Sequence, residues 1–168
     1  SYNERREVCE SAVRILKDWL PGIRSLRDVP GEIFKQYAQR LPENIRQAAS
    51  HVVGEIERTQ LAVNQLEGGD INGFGKRMLE SHASLRDLYH VSRPELDTMV
   101  RIAMELPGCL GARLTGAGFG GSTVNLVMRD QVDSFMETLK TRYHKETGIR
   151  SSITLCQAED GAGTSALK

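Results

Sequence analysis

Most of the familiar signposts of function are missing from this chain. Its three cysteines, Cys9, Cys109 and Cys156, are odd in number and far apart. They supply neither a disulfide framework nor a C-x-x-C metal pair, a usage that suits a reducing cytoplasm. His51, His82, His90 and His144 show neither H-x-x-H nor H-x-x-x-H spacing, so each reads as a surface or helix-packing histidine rather than a metal ligand. G-x-S-x-G and G-x-x-x-x-G-K-[ST] are absent, which removes the nucleophile elbow and the P-loop. Neither sign of charge is in excess: 22 Lys and Arg meet 22 Asp and Glu. That balance argues against a nucleic-acid or anionic-membrane partner. No apolar run approaches roughly 18 residues, and the N-terminal stretch is charged and helix-like, so neither a membrane span nor a signal peptide is expected.

What is present in excess is glycine, and it is concentrated. Gly111-Ala112-Arg113-Leu114-Thr115-Gly116-Ala117-Gly118-Phe119-Gly120-Gly121-Ser122 is the densest glycine window of the 168 residues. Glycine loses more freedom on folding than any other residue, so such density is kept where the backbone must adopt positive φ or approach a ligand closely. Gly116, Gly118 and Gly121 satisfy G-x-G-x-x-G, but the dinucleotide fingerprint also needs a helix directly after the glycines. Here Ser122-Thr123-Val124-Asn125-Leu126-Val127-Met128 follows, β-branched and roughly alternating, which reads as a strand. Arg113-Leu114-Thr115 also suits a strand, so the local reading is strand, glycine loop, strand. A plain hairpin turn requires only one or two special glycines. The surplus, with the apolar Phe119, favours a backbone surface facing an anion or a sugar.

The chain is long enough to bury about 70% of its unfolded surface in one domain or two small ones. Val8, Ala12, Ile15, Leu16 and Trp19 fall at helical spacing, and Pro21-Gly22 stops that helix. A short helix is expected around Ile33-Phe34-Tyr37, and Pro42 opens the longest one. Its stripe is Ile45, Ala48, Ala49, Val52, Val53 and Ile56, continuing to Val63 and Leu66. Gly68-Gly69-Asp70 ends it, with Asp70 as N-cap of a helix that should pack antiparallel to its predecessor. Ser92-Arg93-Pro94-Glu95 reads as a capping box with Ser92 as the cap, and Val91 and Leu96 as a hydrophobic staple. Beyond the glycine hairpin, Asp130 is expected to cap a helix ended by Gly148. Ile153-Thr154-Leu155-Cys156 is expected to form a last strand, and the tail from Gly161 has little to bury and should fray. Asp87, beside Arg86, reads as a member of a buried ion pair. Four or five helices before a sheet of at least three strands define an α+β chain, a helical layer packed on a small, mainly antiparallel sheet.

Four blocks in order carry a resemblance. They are Tyr2-Asn3-Glu4-Arg5-Arg6 with Cys9-Glu10; His51-Val52-Val53-Gly54-Glu55-Ile56-Glu57-Arg58-Thr59; Ser81-His82-Ala83-Ser84-Leu85-Arg86-Asp87 running into Pro94-Glu95-Leu96-Asp97; and the glycine stretch itself. Together they resemble the GHMP small-molecule kinases in the form typical of galactokinases, and the last block looks like that family's third motif. The resemblance runs across nearly the whole of residues 1–168 but covers only the C-terminal domain of such enzymes. It begins at Ser1 inside an apparent helix, which suggests a cut chain. The R-x-N-L-I-G-E-H-T-D-Y sugar motif and the G-L-S-S-S phosphate loop do not occur here.

The resemblance implies a parent enzyme that phosphorylates galactose at its C1 hydroxyl with ATP and Mg²⁺, in the cytoplasm. Phosphoryl transfer is mostly positioning and electrostatic stabilisation. A chain without the catalytic residues, metal ligands and phosphate loop is therefore expected to be inactive alone and to bind neither cofactor. The same resemblance leaves open an N-acetylgalactosamine kinase, or a regulator that binds galactose and ATP without catalysis. It implies that Tyr2 hydrogen-bonds a galactose hydroxyl, and that Thr115, Gly116, Ala117, Gly118, Phe119, Gly120 and Gly121 line the cleft against the missing N-terminal domain. Removing that domain should expose apolar surface and promote self-association. Three positions depart from the family pattern. Ala117 replaces a glycine, which implies negative φ there; Ser122 stands where cysteine is common; and Arg93 takes a small residue's place.

Overall fold

The computed structural model describes residues 2–157; the tail from Gly161 lies outside that range. Helices α1 (Tyr2–Leu16), α2 (Gly31–Tyr37), α3 (Glu43–Glu67), α4 (Ile71–Asp87) and α5 (Pro94–Glu105) precede a hairpin. Its strands are β1 (Cys109–Thr115) and β2 (Ser122–Val127), and α6 (Val132–Thr147) follows. The expected α+β layering is present: six α-helices and a two-stranded antiparallel sheet among the described residues.

The buried side chains fall into three groups. Ala12 and Leu16 of α1, Phe34 of α2 and Ala49 and Val53 of α3 form the first, closed by Ile23, Leu26 and Val29 from the connecting turns. Val100, Ile102 and Ala103 of α5 meet Ala112 of β1 and Phe135, Leu139 and Tyr143 of α6 in the second. The smallest, Leu85, Val91, Leu96 and Leu114, sits where α4, α5 and the end of β1 converge. It lies directly beneath the start of the glycine loop.

Asp70 caps α4 as expected, its carboxylate accepting the Gly73 N–H at 2.8 Å. The α3–α4 pair packs across the three-residue connection. From there α4 runs along the outer edge of β1. A Cβ on Gly75 would lie 1.9 Å from the Leu110 carbonyl oxygen, so helix and strand backbones touch there and only glycine fits. Seven residues later, His82 Nδ1 accepts the Leu114 N–H at 3.3 Å. Seven helical residues rise about 10.5 Å and three strand residues about 10 Å, so the two elements advance in step. The helix thereby covers an edge that would otherwise present unpaired backbone groups.

Four local expectations are corrected. Arg93, not Ser92, is the N-cap of α5; the Ser92 hydroxyl instead donates to the Asp97 carboxylate at 2.5 Å. Val91 and Leu96 still share a buried cluster, and Arg93 is exposed. Asp130 lies in a 3₁₀ turn (Arg129–Gln131), and Gln131 precedes α6 as its cap. Arg86 and Asp87 do pair, at 2.7 Å, but on the surface, so the carboxyl is held down by its arginine in open solvent. Residues 151–157 form no strand. A strand needs a partner edge as well as an alternating sequence, and the segment packs on the second cluster only through Ile153.

Candidate functional site

The glycine loop joins β1 to β2, paired in register from Thr115↔Ser122 back through Arg113↔Val124 to Gly111↔Leu126. Between the strands the backbone is predominantly left-handed. Gly116 (φ 83°), Gly118 (77°), Phe119 (62°), Gly120 (125°) and Gly121 (99°) all have positive φ, and Ala117 is the exception. The alanine thus sits at the one loop position where a Cβ carries no left-handed strain. Phe119 is the surprise, because an L-residue there costs about 1 kcal/mol or more.

Docking holds it in place. The Phe119 N–H donates to the Val91 carbonyl at 2.7 Å. Next to it, a Cβ on Gly118 would lie 2.4 Å from the same oxygen. Val91 belongs to a tight corner after α4 in which His90 is also left-handed, at φ 55°. The corner is secured by Val91 N–H to Leu85 C=O at 3.1 Å and by a 3.0 Å contact between His90 Nε2 and Gln47 Oε1 on α3. One flank of the loop is therefore fixed. Additional Cβ atoms on Gly116, Gly120 or Gly121 would meet nothing within 4 Å, so the opposite flank presents bare backbone to open space.

The same corner holds the start of α1. Arg5 Nη1 donates to the Tyr89 carbonyl at 3.2 Å, and the Cys9 thiol lies 3.9 Å from the Tyr89 hydroxyl. Tyr89 in turn stacks on His51 of α3, ring centroids 4.4 Å apart, and His51 Nδ1 contacts the Ser84 hydroxyl at 2.8 Å. Tyr2 begins α1 one helical turn before Arg5. The structure thus gathers the first turn of α1 and the glycine loop around residues 89–91; the Tyr2 side chain lies outside the described residues.

Of the histidines expected at the surface or in helix packing, His51 and His82 are buried between elements. His82 is buried, facing Leu114 N–H with Nδ1 and the Asp97 carboxylate with Nε2 at 3.1 Å. An acceptor Nδ1 places the proton on Nε2, towards Asp97. Burial lowers the His82 pKa, against the opposing pull of Asp97. Burial likewise depresses His51 to about 4, helped by Arg58 and Arg113. Both imidazoles are neutral struts at neutral pH. Their signal in the sequence was a histidine beside small polar residues on an otherwise core-facing stripe.

A cavity of about 270 Å³ opens between α3, α4 and the hairpin, and none of residues 115–121 lines it. Among the described residues no group of three or more His, Cys, Asp or Glu side chains could hold a metal ion. No helix among the described residues is long and apolar enough to cross a membrane.

The site is thus a glycine-rich β-loop braced on one flank by a helical layer, and it lies largely within a segment that matches a known family. The family described as GHMP kinases C terminal matches residues 61–145, and the chain belongs to that family. Within it, the chain is 50% identical over 163 residues to a galactokinase of Roseiflexus sp. (strain RS-1), covering 97% of this chain and 42% of that protein. A galactokinase of Chloroflexus aurantiacus is 48% identical over 164 residues, covering 98% of this chain and again 42% of the relative. The crystal structure of Lactococcus lactis galactokinase complexed with galactose superimposes with a TM-score of 0.86 at 36% identity, over 90% of this chain and 39% of that one. The chain therefore spans well under half the length of these relatives.

Proposed function

We propose that residues 1–168 are the C-terminal domain of a galactokinase, whose whole chain transfers the γ-phosphate of ATP to the C1 hydroxyl of galactose in the cytoplasm, with Mg²⁺. This domain contributes the wall of the substrate cleft formed by Thr115, Gly116, Ala117, Gly118, Phe119, Gly120 and Gly121. Tyr2 supplies a phenol that hydrogen-bonds a galactose hydroxyl. The observation that carries the reading is the loop's two-sidedness: Gly118 and Phe119 are pinned to Val91, while Gly116, Gly120 and Gly121 face open space. Backbone free of side chains lets a sugar or a phosphate oxygen approach more closely than a Cβ permits. The similarity to galactokinases over nearly the whole chain supports the choice of substrate.

The domain is inactive alone on this reading, because the residues that position and neutralise the transferring phosphoryl group belong to the remainder of the parent. Assaying ATP-dependent galactose 1-phosphate formation by the 168-residue chain and by the full-length parent tests it. Turnover is expected only from the parent, with galactose preferred over N-acetylgalactosamine. Turnover by the chain at ordinary enzyme rates, or a parent that uses neither sugar, overturns the reading.

A further inference from the structure

The cavity away from the loop carries charge that no carboxylate among the described residues neutralises. Three guanidinium groups line it, from Arg58 on α3, Arg77 on α4 and Arg113 on β1. Two carboxylates answer them. Glu55 pairs with Arg58 and accepts the Ser81 hydroxyl at 2.6 Å, while Glu80 lies 2.9 Å from Arg77 and 3.8 Å from Arg58. Arg113 is left over. Its Nε donates to the Leu114 carbonyl at 3.0 Å, and among the described residues no carboxylate lies within 4 Å of it. Burial pushes its pKa below the ordinary guanidinium range, the direction expected of a cation that has lost water without gaining a counter-charge.

Unused polar atoms collect at the same place. Arg58 Nε and Arg77 Nε are buried donors without an acceptor, and Asn125 Oδ1 on β2 is a buried acceptor without a donor. Leaving such atoms unpaired costs about 1–3 kcal/mol each, so three around one cavity call for an explanation. The remaining wall is apolar: Phe74, Met78, Val124 and Leu126. Val124 is 45% exposed although it faces this space. The space, about 270 Å³, admits a compact organic molecule.

We propose that this cavity is a binding site for a small organic oxyanion, a carboxylate or phosphate group on an apolar body, separate from the sugar cleft. The anionic group takes the free fork of the Arg113 guanidinium, whose paired N–H donors match two oxygens of one carboxylate or phosphate. The body lies on Phe74, Met78 and Val124. This assignment is independent of the galactokinase reading, since no residue of the glycine loop takes part.

The test titrates the 168-residue chain by calorimetry with benzoate, phenyl phosphate and uncharged benzyl alcohol. One or both anions are expected to bind at least tenfold more tightly than benzyl alcohol, and their order tells carboxylate from phosphate. Arg113→Gln should weaken the better anion by tenfold or more. Should that variant unfold, Val124→Trp provides a second arm, filling the cavity from the exposed face of β2 and abolishing binding. No binding of either anion at millimolar concentration, equal binding of the alcohol, or binding that survives both substitutions would overturn the proposal.

Discussion

Phe119 and Val91 lie 28 positions apart, yet the Phe119 N–H reaches the Val91 carbonyl at 2.7 Å. Each belongs to a left-handed bend, Phe119 by its own φ of 62° and Val91 by that of His90 at 55°. Two strained turns thus stabilise one another, and the surplus is held by the buried cluster of Leu85, Val91, Leu96 and Leu114.

Gly118 is the point of closest approach. Gly118→Ala places a Cβ 2.4 Å from the Val91 oxygen at a φ of 77°. Both the clash and the backbone strain oppose it, so a loss of about 2–3 kcal/mol is expected. Thermal unfolding should show a fall in Tm of several degrees. Phe119→Gly, which relieves the left-handed strain but loosens the unfolded chain, should stay within about 1 kcal/mol of the parent. A Gly118→Ala protein as stable as the original would mean that the loop does not dock on this corner.

The helix–strand contact gives a sharper contrast between two glycines. Gly75→Ala drives a Cβ to 1.9 Å from the Leu110 oxygen, which is backbone on both sides and cannot swing away. About 3 kcal/mol or more should be lost. Gly22 has nothing within 4 Å of its Cβ position and is not among the positive-φ residues. Gly22→Ala should be neutral or stabilise by about 0.5 kcal/mol. Urea unfolding of the two variants checks the pair, and similar midpoints would contradict the close packing of α4 on β1.

Much of this architecture was legible in the residues. Pro42, Gly68-Gly69-Asp70 and Gly148 bound their helices because proline and glycine act locally, and the apolar stripes repeat within a single element. Ala117 revealed its own negative φ by not being glycine. What could not be read depends on distant partners. Phe119 adopts the left-handed region only because Val91 accepts its N–H, and His82 finds Leu114 across 32 positions. Ser92 satisfies the capping-box pattern but turns to Asp97, a competing acceptor five residues on. The unanswered charge of Arg113 was equally hidden, since its neighbours come from α3, α4 and β2.

Acid should weaken the support beneath the loop. His51 is 5% exposed, and its pKa is depressed from about 6.5 to about 4. The unfolded chain therefore takes up this proton first. The stability due to neutral burial is complete above about pH 6.5, declines as pH falls, and is gone below about 4. His82 is shifted in the same direction. A loss of a few kcal/mol at most is expected between pH 7 and 4.5. His51→Gln keeps a polar side chain near Ser84 without an imidazole, so its urea midpoint should vary less over that range. Identical pH slopes for the two proteins would remove His51 as the cause.

Loop function and loop stability should separate at Gly120. Its φ of 125° strains any L-residue, but a Cβ there meets nothing within 4 Å, so the core does not feel the change. Gly120→Ala should cost the isolated chain only about 1 kcal/mol, by backbone strain alone. In the full-length parent the same methyl group faces the sugar and nucleotide on the proposed reading, and it also distorts the backbone that meets them. A fall in kcat/KM for galactose of at least tenfold is expected, which is about 1.4 kcal/mol of lost transition-state stabilisation. Gly118→Ala reverses the ranking, with the larger effect on stability. Measuring Tm of the chain and kcat/KM of the parent for both variants decides the matter: full activity in Gly120→Ala would show that the open flank of the loop faces no substrate.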